Sequence, residues 1–214
     1  MQITVITAIF GGYDILREPL VRSPECRYIC YTDHPVSSET WEIRIPTNLD
    51  GLPARRARRH KILAEADTPF ILWHDGSIQL KCDPVVLLPY IKGTNLVAWQ
   101  HPWRSCLYDE AQMCIEQERG NRQEIESQVA RYRAEGVPAQ LTMIETGFLL
   151  RRNCLEQQTF NKTWWAEIEA GSWRDQISFP YVAWRTNTNY NLFPGKLRYN
   201  RWAILNGNHA GPAI

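Results

Sequence analysis

Residues 70–84 read FILWHDGSIQLKCDP, and this stretch decides the fold. The apolar run over 70–73 is short, β-rich and bounded by a Gly-containing turn. That pattern predicts a strand that delivers Asp75 just beyond its C-terminal end. In open α/β sheets that edge is where ligands bind. A carboxylate there can hold a hard divalent cation, manganese or magnesium, which in turn neutralises a diphosphate. The competing reading is an Asx-turn between Asp75 and Gly76, which is common chemistry. The residues alone leave the two open.

Outward from this strand the chain alternates in the rhythm of an α/β fold with a mainly parallel sheet. Further β-rich runs cover 3–10, 27–32, 41–45 and 95–100. Pro53 stands where a helix starts, followed by ARRARRHKILAEA. Asp83 and Pro84 form an N-cap and first-turn pair that opens VVLLPYI as a helix. Helices are expected over 108–118 and 122–135, with Gly120 and Gly136 as stops. A strand GFLLR follows, then a helix over 155–170 closed by Gly171, and another from about Arg174. No internal repeat, low-complexity tract or linker interrupts the chain, so one domain over 1–214 is expected.

Composition narrows the function classes. A chain of 214 residues with 44% hydrophobic and 22% charged residues can bury a sizeable core. The formal net charge of +1 gives no global pull toward nucleic acid or membrane. The nine tryptophans and nine tyrosines serve as core residues and as stacking surface for sugars or bases. Six cysteines show no CxxC ladder and no Cys/His zinc spacing, so reduced thiols in a cytoplasmic protein are expected. No run reaches the apolar length of a membrane span, and MQITVITAIFGG reads as a first strand rather than a leader. A peripheral membrane association stays open.

The blocks TAIFGGYD, YTD, ARRARRHKIL, WHDGSIQL, HPWRSCLYDEA, ETGFLLRR and RDQISFPYV occur in that order. Together they resemble the glycosyltransferase-like domain of bacterial polysaccharide loci and of plant Golgi proteins linked to mucilage and pectin. The resemblance runs from Thr7 to about Val182. More distantly the order is similar to glycogenin and the lipopolysaccharide galactosyltransferases. It implies a GT-A-like, Rossmann-like α/β/α sandwich that transfers a sugar from a nucleotide-sugar donor to a hydroxyl acceptor. A glycan or lipid-linked glycan in cell-surface polysaccharide synthesis is the implied acceptor.

The resemblance also distributes roles. It aligns a DxD with Asp75 to Ser77, an N-S-G strand with Glu145, Thr146 and Gly147, a D-Q pair with Asp175 and Gln176, and a late H-x-G with His209 to Gly211. Ser77 stands where the second DxD carboxylate would be, so His209 is the candidate that restores a metal ligand beside Asp75. Thr7, Ala8, Phe10 and Gly11 are expected against the base and ribose, and Asp33 as an acceptor from either.

Arg55, Arg58 and Lys61 are expected on the donor's diphosphate, where guanidinium forks fit well, against the plain alternative of a solvated face. His101, Trp103, Arg104 and Tyr108 combine aromatic faces with polar ends and are expected to shape an acceptor site. Thr146 and Gly147 are expected in a small turn that admits the donor sugar.

Asp175 is expected as the catalytic carboxylate, with Glu145 as its understudy and Arg174 and Gln176 beside the substrate. At a helix start the dipole favours an ionised carboxylate; the plain alternative is an N-terminal cap. Two other classes stay open. A metal-assisted hydrolase could use the same carboxylates on water, and a catalytically silent binding domain would keep the aromatics without turnover.

Overall fold

The computed structural model describes residues 1–207. Its centre is a seven-stranded sheet in the order β3-β2-β1-β4-β7-β6-β8. The strands are β1 (Ile3–Ile9), β2 (Cys26–Thr32), β3 (Glu42–Arg44), β4 (Phe70–His74), β6 (Leu96–Gln100), β7 (Ile144–Arg152) and β8 (Asn191–Leu192). β1 is buried at every residue, as a central parallel strand covered on both faces should be. It pairs in parallel with β2 on one side and β4 on the other. The expected mainly parallel α/β architecture is therefore what forms. β7 departs from it, running antiparallel to both β4 and β6.

All five α-helices pack on one face: α1 (Pro53–Ile62), α2 (Leu107–Glu116), α3 (Arg122–Ala134), α4 (Leu155–Ala170) and α5 (Asp175–Arg185). Ile6, Trp73, Ala98 and Leu149 of the sheet meet Ile62, Leu107, Trp164 and Ile177 of the helices there. The other face is covered by a 3-10 helix, Pro84–Ile91, and by the short ladder of β5 (Ile78–Leu80) with β9 (Ala203–Leu205). No helix among the described residues is long and apolar enough to cross a membrane. All six cysteines are free.

Two local expectations change. Asp83 caps as expected, its side chain accepting from the Val85 N–H at 2.9 Å. The turn it opens is 3-10 rather than α, because Pro89 has no N–H to give to an α ladder. The strand expected over 147–151 begins three residues earlier. Glu145, Thr146 and Gly147 therefore lie in β7, and no Thr-Gly turn exists.

The antiparallel strand has a structural use. Arg151 is fully buried, and its guanidinium donates to the carbonyls of Lys61 at 2.6 Å and Ile62 at 3.1 Å. Those carbonyls end α1, where the partial negative charge of a helix C-terminus favours a cation. Burial pushes Arg151 down to about 10, so it remains charged at neutral pH. The contact fixes the axial position of α1, and with it Lys61. Replacing Arg151 by Met should therefore lower stability in a denaturant titration by about 2–4 kcal/mol. A loss under about 0.5 kcal/mol would show that the contact does not hold the helix.

Candidate active site

The C-terminal ends of β1 and β4 open onto one pocket. Ala8 and Phe10 line it from β1 and the residue after it, Trp73, Asp75 and Gly76 from β4 and its turn, and Arg58 from α1. Trp173 and Arg174, in the turn before α5, complete that side. The chain leaves β1 through Gly11 and Gly12, both at positive φ (66° and 63°), a region that favours glycine. Asp33 fixes this turn by accepting from the Gly11 N–H at 2.8 Å, and Arg56 pairs with Asp33 at 3.4 Å while lying over Phe10.

Tyr13 and Asp14 also line the pocket and were not assigned a role from sequence. Their signal was their place directly after the glycine pair. Asp14 packs so closely over Gly76 that a Cβ there would come within 2.8 Å of Asp14 Cβ. Gly147 is constrained likewise, since a Cβ there would meet Asp75 Oδ2 at 3.1 Å.

At the back of the pocket lies a cluster of charges, buried at Lys61 and Asp175 and reaching the pocket at Arg58 and Asp75. Lys61 Nζ contacts Asp175 Oδ2 at 2.6 Å and Asp75 Oδ1 at 3.3 Å. Arg58 Nε meets Asp175 Oδ1 at 3.1 Å, and Trp73 Nε1 donates to Asp75 Oδ1 at 2.8 Å. Two cations thus face two carboxylates, and the group is neutral as a whole. Burial alone would raise the Asp175 pKa, but Arg58 and Lys61 outweigh it and hold this carboxyl well below the usual carboxylate range. Burial pulls Lys61 below an ordinary lysine, with Asp175 and Asp75 opposing. Contact at 2.6 Å with an ionised carboxylate keeps the ammonium charged.

These contacts revise several expected roles. Lys61 is 0% exposed and cannot reach a phosphate; it positions Asp75 and Asp175 instead. Asp175 is 1% exposed, and its low pKa makes it a poor base toward an acceptor hydroxyl. It does not act as a cap either: Arg174 occupies the N-cap position, and Asp175 is the first residue of α5. Arg55 lies on the far side of α1. It donates to the Ile168 and Gly171 carbonyls and pairs with Glu124 at 2.9 Å, tying α1 to the end of α4 and to α3. Thr7 is buried within β1, and Gln176 donates its amide to the Ile144 carbonyl at 3.3 Å.

The expected acceptor block is split. Tyr108 is buried, donates to the Val137 carbonyl at 2.9 Å and carries Arg133 over its ring, so it serves packing. Trp103 is 73% exposed. His101 Nδ1 accepts from the Arg104 N–H at 3.0 Å and the Trp103 N–H at 3.4 Å, fixing that loop. Arg104 pairs with buried Glu110 at 2.7 Å, and the other Glu110 oxygen faces Arg174 at 3.7 Å. Glu110 therefore links the Trp103 loop to the pocket.

Glu145 and Thr146 are not in the pocket lining. Thr146 is buried in β7. Burial pushes the Glu145 carboxyl up to about 7, against the opposing Leu197 N–H and Arg198 charge.

Among the described residues, no three or more His, Cys, Asp or Glu side chains gather to hold a metal ion. His209 lies outside the described residues. At the DxD position only Asp75 offers a carboxylate, and its Oδ1 already accepts from Trp73 and Lys61. An ammonium stands where a cation would be drawn, so the described donor set does not fit a divalent metal.

Among solved structures, the apo form of mouse xyloside xylosyltransferase 1 is similar with a TM-score of 0.47 at 8% identity, covering 90% of this chain and 85% of that one. No curated protein matches the sequence. The sequence profile of the TOD1/MUCI70, glycosyltransferase-like domain matches residues 56–202, a span that holds Arg58, Lys61, Asp75 and Asp175. The chain is a member of the TOD1/MUCI70 glycosyltransferase-like domain family.

Proposed function

We propose that the protein transfers a sugar from a nucleotide-sugar donor to a hydroxyl of a glycan or lipid-linked glycan. The observation that carries this reading is the pocket at the C-terminal strand ends, where Arg58 and Arg174 stand beside Trp173 and Arg58 is held from behind by the buried Asp175. Cleavage of a donor's glycosidic bond leaves a nucleoside diphosphate that gains negative charge. Guanidinium groups fixed in advance stabilise that charge without reorganising. Arg58 is held by Asp175 and Arg174 faces Glu110, so both are oriented before a donor arrives. Asp75, at the pocket surface, accepts from donor hydroxyls. Side chains rather than a metal ion supply the positive charge in this reading.

The two arginines of the basic helix separate the reading from its alternatives. Arg58→Ala should weaken nucleoside diphosphate binding about tenfold, in EDTA, while nucleoside binding changes little. Arg55→Ala should leave both affinities unchanged. Calorimetry that finds Arg55 and Arg58 equivalent, or no diphosphate binding at all by the native protein, contradicts the assignment.

Glu145 lies outside the pocket lining, so its carboxyl pKa of about 7 bears on stability rather than on the acceptor's proton. The stability sign is independent of activity. A raised carboxyl holds its proton more tightly in the folded state, so stability falls as pH rises from 4.5 toward about 7. Glu145→Gln should gain melting temperature over the native protein at about pH 8 relative to about pH 5. A pH-independent difference between the two proteins would show that Glu145 titrates normally.

A further inference from the structure

No Asp or Glu follows Asp175 in the sequence, whereas Lys196, Arg198 and Arg201 fall within six consecutive residues. Arg201 lines one groove with Lys81, Tyr199 and Trp202, and Lys196 and Arg198 are exposed in the turn that leads to Tyr199, closed by the Tyr199 N–H donating to the Lys196 carbonyl at 3.0 Å. The Lys81 N–H donates to the Trp202 carbonyl at 2.9 Å, beside the β5–β9 ladder. Arg201 lies over the Trp202 ring at 5.2 Å, and Tyr199 stands 78% exposed at the same groove. Among the described residues, none of Lys81, Lys196, Arg198 or Arg201 has an ion pair, although acidic and basic side chains pair widely elsewhere. Two carboxylates of the neighbouring elements are committed: Asp83 caps the 3-10 helix, and the half-buried Glu145 takes the Leu197 N–H.

The segment is also rigid. Asn200 accepts from the N–H groups of Trp202 at 2.7 Å and Ala203 at 2.8 Å and donates to the Leu197 carbonyl. Trp202 packs edge-on to Tyr90 at 5.2 Å, which gives the groove an aromatic base. Fixed cations around an exposed aromatic ring suit a ligand with carboxylates and flat apolar ring faces. The Leu197 N–H and the Arg198 charge act on Glu145, so this segment packs against β7.

We propose that the surface of Lys81, Lys196, Arg198, Arg201 and Tyr199 binds an acidic, uronate-bearing glycan chain. The identification of that chain as the acceptor rests on the glycosyl-transfer reading; the binding itself does not. Lys and Arg pair with the carboxylates, and Tyr199 stacks on a pyranose face. A lipid headgroup is the less suited source of negative charge, because Trp202 is only 5% exposed and cannot insert into a bilayer.

The test is calorimetry without any donor, comparing a mannuronate hexasaccharide with a mannose hexasaccharide and with phosphatidylglycerol vesicles. The acidic oligosaccharide should bind, the neutral one should bind at least about tenfold more weakly, and added salt should reduce the difference. The quadruple substitution Lys81→Ala, Lys196→Ala, Arg198→Ala, Arg201→Ala should lose about tenfold or more toward the acidic chain. Tyr199→Ala should weaken it severalfold, with Tyr199→Phe restoring binding. Equal binding of the two oligosaccharides, an unchanged quadruple variant with native melting temperature, or binding to vesicles alone would each overturn the proposal. Should the quadruple variant fail to fold, Lys81→Ala and Arg201→Ala singly decide it by the same comparison. Binding of uridine diphosphate, measured alongside, reports on the transferase reading separately.

Discussion

The contact of Lys61 with Asp175 is the interaction on which the rest of the site depends. An unpaired charge in a protein interior costs several kcal/mol, so neither group tolerates burial alone. Paired at 2.6 Å, with Arg58 and Asp75 completing a neutral set, they join α1, α5 and the end of β4 at one point. The carboxylate first expected to do chemistry is thus an anchor. It draws two cations inward and leaves Arg58, the one that lines the pocket, in a fixed place.

Other parts of the fold serve that anchor. Arg151 reaches from the antiparallel strand to the last carbonyls of α1 and sets where Lys61 lies. Glu110 repeats the device on the opposite side by facing both Arg104 and Arg174. Cations at the pocket are consequently backed by buried carboxylates, and the buried Arg151 by helix carbonyls. The arrangement resists deformation, as electrostatic preorganisation requires.

Much of this was legible in the sequence. The apolar strand ending in Asp-Gly, the Pro53 helix start and the Asp83 cap are local patterns, and each formed where its residues stand. Which face of the basic helix meets the pocket was not legible. Arg55 and Arg58 are chemically alike and three residues apart, and only the packing of α1 against α4 and α5 assigns them to different partners. Lys61 was misread because lysine is rarely buried, so its pairing with Asp175 could not be anticipated from spacing. The short β5, β8 and β9 carry too few residues to show a period. Asp14 was hidden for another reason: its value lies in its approach to Gly76, distant in sequence.

A double-mutant cycle on Lys61→Met and Asp175→Asn, read by denaturant unfolding, tests the anchor most directly. Each single change leaves an uncompensated charge in the cluster, whereas the double change leaves Arg58 and Asp75, one charge of each sign. The account predicts that each single variant loses about 3–5 kcal/mol and that the double variant loses less than their sum by more than about 1 kcal/mol. Additive losses, or an Asp175→Asn protein as stable as the native one, would contradict it.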